Sequence, residues 1–201
     1  MATVNSTGDA VLVPMLPPPE LVKPAPASDI IVGHALASEA AAIAKLGAAT
    51  FTATFGFSVS TEDLAEFLAA TYSEVTLQAD MRDPTVQTWA ARDPAGKVLG
   101  LVQLVRGLSE PCVPGDPATH AELRRLYVDT TAHGRGIGSK LIAAVEAQAR
   151  ADGFGQLWLT VWEDNPDAQR LYQRLGYRKY GTVDFITGTC VQTDYVLAKS
   201  L

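Results

Sequence analysis

The chain has 201 residues, of which 47% are hydrophobic and 19% charged, and its formal net charge at pH 7 is −6. This length and composition predict one globular domain with a substantial core. The negative charge argues against general nucleic-acid binding, and no apolar run approaches the roughly 20 residues that a membrane-spanning helix needs. Because no secretory signal is visible either, we expect a soluble, cytoplasmic protein.

The cysteine and histidine content argues against two further classes of protein. Cys112 and Cys190 are too few to define a disulfide framework, and we expect both to be reduced thiols. His34, His120 and His133 do not have the spacing of metal ligands, so we expect no metal site.

The chain begins with a proline-rich segment, residues 1–28, that we expect to be disordered or strap-like, because proline cannot continue a helix. One domain is predicted over residues 29–201. Its first strand is predicted over Asp29–Ala35 from apolar alternation. Ser38 is then expected to cap a helix that ends at Gly56.

The middle of the chain predicts helices followed by strands. One helix is expected to begin at Thr61, and a short helix is expected over Leu77–Met81. The strands Val86–Arg92 and Val98–Arg106 are separated by a turn sequence and predict a hairpin. A loop with several prolines then leads to a strand over residues 121–128.

The most informative stretch follows that strand. Gly134, Gly136 and Gly138 lie between the strand and a helix with an apolar stripe. Such glycines let successive backbone N–H groups converge at the positive end of the helix dipole, a geometry that binds phosphate. The spacing fits neither the dinucleotide-binding fingerprint nor a Walker loop, and a turn that merely starts a helix remains the alternative.

The last third predicts a strand, a helix and further strands. Leu157–Trp162 is rich in branched and aromatic residues, which favours a strand. Asn165 is a good N-cap with Pro166 at the first helical position, and the helix is expected to stop at Gly176. Tyr172 lies on the apolar face of this helix and alone would be interpreted as a core tyrosine.

Two motifs in this order resemble those of the GNAT superfamily of N-acetyltransferases. The first is His133-Gly134-Arg135-Gly136-Ile137-Gly138, with His133 where that family usually has Gln or Arg. The second combines Asn165, Tyr172 and Gly176-Tyr177. The C-terminal half further resembles bacterial spermine/spermidine N-acetyltransferases.

The resemblance implies a fold and an activity. The fold would be of the α+β class with α/β/α layers, namely a mixed, mostly antiparallel twisted sheet of about six or seven strands with about four helices and splayed central strands. The activity would be that of an acyltransferase that moves the acetyl group of acetyl-CoA directly to a primary amine in a ternary complex. A polyamine or another small cationic amine is the expected acceptor, and the alternatives are protein lysines or N-termini, or a non-catalytic acetyl-CoA sensor. The resemblance implies neither nucleic acid nor membrane as a partner and leaves a homodimer open.

The resemblance also assigns site residues. Acetyl-CoA would be bound by Leu126, Tyr127, Val128, His133, Gly134, Arg135, Gly136, Ile137, Gly138, Ser139, Asn165, Ala168 and Tyr172. Tyr172 would protonate the leaving thiolate, and the backbone N–H of Val128 would stabilise the oxyanion. An alkylammonium with a pKa of about 10.4 needs a base, for which Glu122 is the candidate; the alternative is a structural carboxylate paired with Arg124 or a nearby lysine.

Acidic residues dominate the early helices. In the family this region borders the acceptor site, so the carboxylates would attract an amine, whereas the alternative is an ordinary solvated helix face. They are Glu62, Asp63, Glu66, Glu74, Asp80 and Asp83.

Overall fold

The computed structural model describes residues 29–201. The proline-rich segment expected over residues 1–28 lies outside the described residues. The elements are β1 Ile31–His34, α1 Ala40–Phe55, α2 Thr61–Thr71, α3 Glu74–Arg82, β2 Val86–Arg92, β3 Val98–Arg106, β4 His120–Val128, α4 Ile137–Ala151, β5 Gln156–Trp162, α5 Pro166–Arg174, β6 Arg178–Thr187 and β7 Cys190–Ser200.

The strands form one seven-stranded sheet in the order β1-β2-β3-β4-β5-β7-β6. All neighbours are antiparallel except β4 and β5, which are parallel. These two strands pair only where His120–Glu122 meets Gln156–Trp158, and beyond that point they diverge. The expected α+β class, the mostly antiparallel sheet and the splayed central strands are confirmed. We call the space between the diverging halves of β4 and β5 the gap.

Helices cover both faces of the sheet. One face, which we call the α4 face, packs on α4 and α5 through a core that includes Leu141 and Val145. The opposite face, the α1 face, packs on α1 and α3 through Ile43 and Leu77. Burying each such side chain stabilises the fold by about 1.5–3 kcal/mol, so both layers are held firmly against the sheet.

The loop between β3 and β4 covers the α1 face of β5 and β7. Val113 of this loop packs against Trp158. The buried ring of His120 fastens the loop, because its Nδ1 lies 2.8 Å from Ser109 Oγ and its Nε2 lies 3.1 Å from the carbonyl oxygen of Pro114. Both ring nitrogens of His120 are therefore used inside the fold.

The first helix starts differently from the expectation. Ser38 is not its cap: a 3₁₀ turn precedes α1, which begins at Ala40 after Glu39. The carboxylate of Glu39 accepts from the Arg92 guanidinium at 2.5 Å, which fixes this turn to β2. The third helix is longer than expected and covers Glu74–Arg82.

A bulge in β4 decides which side chains face which helices. Arg125 has a φ of 55°, and the register of β4 against β3 shifts at this point. The extra residue reverses the alternation that Leu123 begins. Leu126 and Val128 therefore pack on the α4 face, whereas Tyr127 packs on the α1 face.

The described residues form no helix suited to span a membrane, no metal-binding cluster and no disulfide bond. No helix between residues 29 and 201 is long and apolar enough to cross a bilayer. The same residues contain no group of three or more His, Cys, Asp and Glu side chains arranged to hold a metal ion. Cys112 and Cys190 are both free thiols.

Candidate active site

The loop before α4 presents a row of unpaired backbone N–H groups. Gly134 and the N-cap Gly136 have φ values of 77° and 72°, which only glycine adopts readily. In the described part of the chain, the N–H groups of residues 134–139 find no acceptor. A Cβ at either glycine would meet nothing within 4 Å, so the loop is open on this side. Converging N–H groups at a helix N-terminus form a site for phosphate oxygens.

Two side chains of this amide loop, residues 133–139, have distinct surroundings. His133 Nε2 lies 3.1 Å from the carbonyl oxygen of Val128, so the imidazole braces the loop against the end of β4. Arg135 Nε is buried and has no hydrogen-bond partner among residues 29–201. Leaving a buried donor unpaired costs about 1–3 kcal/mol, and a phosphate oxygen would relieve that cost. The loop thus fits the diphosphate of a coenzyme.

The backbone N–H of Val128 points into the gap. In an antiparallel ladder only alternate residues exchange hydrogen bonds with the neighbouring strand. Asp129 N–H donates to the carbonyl oxygen of Leu99 at 2.9 Å, so the N–H of Val128 points away from β3. Since β5 has already diverged there, this N–H is available to an extended ligand or to a carbonyl oxygen.

Tyr172 of α5 is a buried phenol at the same gap. Its side chain is 6% exposed, and its ring packs against Tyr177 with centroids 5.6 Å apart. Burial raises the pKa of Tyr172, and the neighbouring phenol of Tyr127 raises it further. A phenol with a raised pKa stays protonated at neutral pH and can act as a proton donor.

Asn165 begins the helix that carries Tyr172. Its Oδ1 accepts from the N–H of Ala168 at 3.1 Å, and Pro166 occupies the first turn. The cap uses the carbonyl end of the side chain, which leaves the amide nitrogen as a donor. Seven residues are about two helical turns, so α5 presents Asn165 and Tyr172 on one side, about 10 Å apart along the axis.

Glu122 lies on the α1 face of β4, where the strands begin to diverge. Burial raises the pKa of Glu122, and the charges of Arg124 and Arg125 oppose this in part. Arg124 instead donates to Gln103 at 3.3 Å, and Arg125 pairs with Asp80. Neither guanidinium forms an ion pair with Glu122 in the described chain.

Asp194 of β7 is a second carboxylate, which sequence reasoning missed. It pairs in register with Trp162, so both side chains lie on the same face of the sheet. Asp194 is 8% exposed, and burial raises its pKa to about 6, against a hydrogen bond from Thr160. Burial raises the pKa of Tyr127, and the negative charge of the Asp194 carboxylate raises it further. The two side chains therefore interact electrostatically across the gap. The available signal was an acidic residue at the start of an apolar run.

Tyr72 is another residue that sequence reasoning missed. It follows α2, and its hydroxyl lies 2.5 Å from the hydroxyl of Tyr127. The guanidinium of Arg125 lies over the Tyr72 ring, 5.6 Å from its centroid. These contacts fix the phenol of Tyr127 on the α1 side of the gap.

The acidic residues of the early helices do not form one cluster. Two of them bind groups distant in sequence, since Asp63 accepts from Thr189 and Asp80 pairs with Arg125. The exposed Asp83 accepts from the nearby Thr85. The others are exposed, namely Glu62, Glu66 and Glu74. Apart from Asp80, which pairs with Arg125 of β4, the carboxylates assigned to the gap are Glu122 of β4 and Asp194 of β7.

Asp194→Asn is expected to stabilise the protein at neutral and higher pH. The folded-state pKa of about 6 lies above the ordinary value of 3.8, so ionisation of Asp194 costs stability as pH rises through this window. The full cost above pH 6 is about 3 kcal/mol by linkage. Thermal unfolding should show a higher Tm for the variant at pH 8 and a much smaller difference at pH 4.

The exposed Asp184→Asn is the matched control, because it makes the same charge change on the opposite face of the neighbouring strand. Its Tm difference from the parent protein should vary little with pH. A Tm difference for Asp194→Asn that does not depend on pH would contradict a buried carboxylate at this position.

The fold and the site together define a class of protein. A sheet that splays between β4 and β5, with a phosphate-type amide loop after β4, is suited to an acyl-CoA-dependent acyltransferase. Residues 49–177 match the acetyltransferase (GNAT) family. The chain belongs to this family of N-acetyltransferases.

Individual relatives agree with this assignment. An uncharacterized N-acetyltransferase in the pepI 3′ region of Lactobacillus delbrueckii subsp. lactis is 33% identical over 153 residues, which are 76% of this chain and 86% of that protein. The crystal structure of PaiA N-acetyltransferase from Thermoplasma acidophilum in complex with coenzyme A has a TM-score of 0.69 at 17% identity, over 86% of this chain and 99% of that one. The second comparison concerns the fold alone.

The likeness to polyamine acetyltransferases is partial. The spermine/spermidine N(1)-acetyltransferase of Bacillus subtilis is 34% identical over 64 residues, which are 31% of this chain and 42% of that protein. This match supports membership of the family and leaves the acceptor to be inferred from the site.

Proposed function

We propose that this chain transfers the acetyl group of acetyl-CoA directly to a small cationic primary amine, such as a polyamine, in a ternary complex. One observation carries the proposal: the hydrogen-bond donors suited to a coenzyme and the carboxylates suited to an amine lie on opposite faces of the sheet at a single gap. The amide loop and the phenol of Tyr172 lie toward the α4 face. Glu122 and Asp194 lie toward the α1 face, because the next residue on each strand, Leu123 or Tyr195, packs on the α4 face.

Acetyl-CoA supplies the activated acetyl thioester. The amide loop and the guanidinium of Arg135 hold its diphosphate, and the amide nitrogen of Asn165 donates to the pantetheine arm. The edge of β4 at Leu126–Val128 binds that arm as an added strand would be bound.

The chain's own groups then move protons and stabilise charge. Glu122 accepts a proton from the ammonium, directly or through one water, which frees the nitrogen lone pair. As the C–N bond forms, the N–H of Val128 donates to the carbonyl oxygen. As the C–S bond breaks, Tyr172 gives its proton to sulfur, and the nitrogen loses its second proton, through water, to the phenolate. Glu122 then releases its proton to solvent, so the net change is one proton released per acetyl group transferred.

A thiol-release screen tests this function directly. The purified chain is given acetyl-CoA with polyamines, alkylamines, amino acids and basic peptides in turn. Acetylation of small cationic amines ahead of peptides supports the proposal. Release of CoA with peptides alone overturns the small-amine acceptor, and binding of acetyl-CoA without release for any acceptor favours the sensor.

Glu122→Gln is expected to lower kcat/KM for an alkylamine by about 10²-fold at pH 7, because the base is lost. The loss should shrink as pH rises, since the neutral fraction of an amine with a pKa of about 10.4 grows about tenfold per pH unit. The parent enzyme should lose activity at low pH as Glu122 becomes protonated, above the ordinary glutamate range because its pKa is raised. A pH–rate profile for both proteins measures this.

Glu62→Gln, an exposed change on α2, is the control and should follow the parent profile. A loss in Glu122→Gln that is equal at every pH would remove Glu122 from the role of base.

A further inference from the structure

Asp194 lies beside Trp162, which belongs to a cluster of aromatic rings on the α1 face. Its register partner Trp162 contacts Phe55 and Phe57, with ring centroids 5.4 and 5.8 Å apart. Phe57 is 78% exposed although it packs on Trp162, so this cluster of aromatic rings extends to the protein surface. Aromatic faces beside a carboxylate favour an organic cation.

Hydrogen bonds at two points join α2 and the connection before it to β7 and the β6–β7 hairpin. Ser58, in the connection between α1 and α2, accepts from the side-chain amide of Gln192 at 2.7 Å. Asp63 accepts from the backbone N–H of Thr189 at 3.2 Å and from its hydroxyl at 3.1 Å. A Cβ at Gly188 would lie 2.0 Å from the Asp63 carboxylate, so the hairpin between β6 and β7 approaches α2 closely. The region is therefore preformed.

Within the described part of the protein, the two carboxylates near the gap form no ion pair, although the charges of Arg124 and Arg125 act on Glu122 from a distance. Among residues 29–201, neither Glu122 nor Asp194 forms an ion pair. Asp194 accepts a hydrogen bond from Thr160 but has no opposite charge beside it in the described structure. A buried carboxylate without an opposite charge is costly, and a cationic ligand would offset that cost.

The strand register sets the separation of these groups. Glu122 is opposite Trp158 and Asp194 is opposite Trp162. The Cα atoms of Glu122 and Asp194 are about 16 Å apart. This distance combines four residues along β5, at about 3.3 Å each, with two strand spacings across the sheet, at about 4.8 Å each. Their side chains can thus reach two cationic groups of one extended molecule but cannot share a single ammonium.

We propose that Asp194 is a specificity-determining residue that binds a cationic group of the acceptor remote from the reacting amine. Glu122 serves the amine that is acetylated, and Asp194, with the aromatic rings beside it, holds the distal ammonium. This inference rests on the proposed function. It assigns acceptors with two separated cationic groups as preferred over monoamines of equal length.

The test compares 1,6-diaminohexane with n-hexylamine, which differ only in the distal amine. The parent enzyme should show a higher kcat/KM for the diamine. In Asp194→Asn the diamine-to-monoamine ratio of kcat/KM should fall about 10- to 100-fold, the usual worth of a charged hydrogen bond. Asp194→Glu, which keeps the charge, should retain part of the preference.

Asp184→Asn is the matched control and should keep the parent ratio. An unchanged ratio in Asp194→Asn, or a parent enzyme that acetylates both amines equally, would overturn the role of Asp194 while leaving the acetyltransferase function intact. If the parent enzyme acetylates neither these amines nor any other acceptor of the screen, the proposed function itself fails.

Discussion

Tyr172→Phe is expected to lower kcat about 10²- to 10³-fold and to change the Kd of acetyl-CoA less than about threefold. The hydroxyl is the only group that the substitution removes, and the ring keeps its packing against Tyr177. Loss of the proton donor slows departure of the thiolate and leaves binding of the coenzyme intact. Thiol-release kinetics measure kcat, and calorimetry measures the Kd.

Tyr177→Phe is the control for that experiment, because it removes the hydroxyl of the other buried tyrosine in the same pair of rings. Its kcat should stay close to the parent value. If Tyr172→Phe turns over as fast as the parent enzyme, or if both variants lose activity equally, Tyr172 is not the acid.

Gly136→Val is expected to weaken binding of acetyl-CoA about 100-fold. The φ of 72° at Gly136 is an outlier for a β-branched residue, so the backbone must leave the left-handed region. The N–H groups of residues 134–139 then no longer converge on one anion. Calorimetric titration with CoA measures the loss, and a thermal melt checks that the fold is retained.

Gly96→Val separates this effect from backbone strain. Gly96 lies in the hairpin turn between β2 and β3 with a φ of 84°, and a Cβ there also meets nothing within 4 Å. Both variants should lose about 1–2 kcal/mol of stability. Only Gly136→Val should lose CoA, and equal affinities in the two variants would contradict the amide loop as the diphosphate site.

The parts of the site that could be predicted from the sequence are those built by short, local segments. The amide loop needs a strand end, glycines and a helix start within a few residues of each other. The cap at Asn165 and the phenol of Tyr172 lie on one short helix, so their relation follows from helical geometry. The mostly antiparallel sheet and its splayed central strands were available through the family resemblance, whereas the order of the strands was not predicted.

The parts that were missed depend on long-range register. Asp194 reaches the gap only because β7 pairs with β5 at Trp162. Tyr72 reaches Tyr127 only because α2 ends above β4. The acidic residues of the early helices looked like one surface, but several of them satisfy distant backbone and guanidinium groups. No local sequence pattern predicts these contacts between residues that are distant in sequence.

Because of the bulge at Arg125, β4 should tolerate a change of residue type better than a change of length. If one residue were removed between positions 124 and 126, the last three side chains of the strand would turn over together. Leu126 and Val128 would then lie on the α1 face, and the hydroxyl of Tyr127 would lie on the α4 face. Conservative replacements in this strand alter one contact each, whereas a deletion exchanges the side chains that β4 presents to the two sides of the gap.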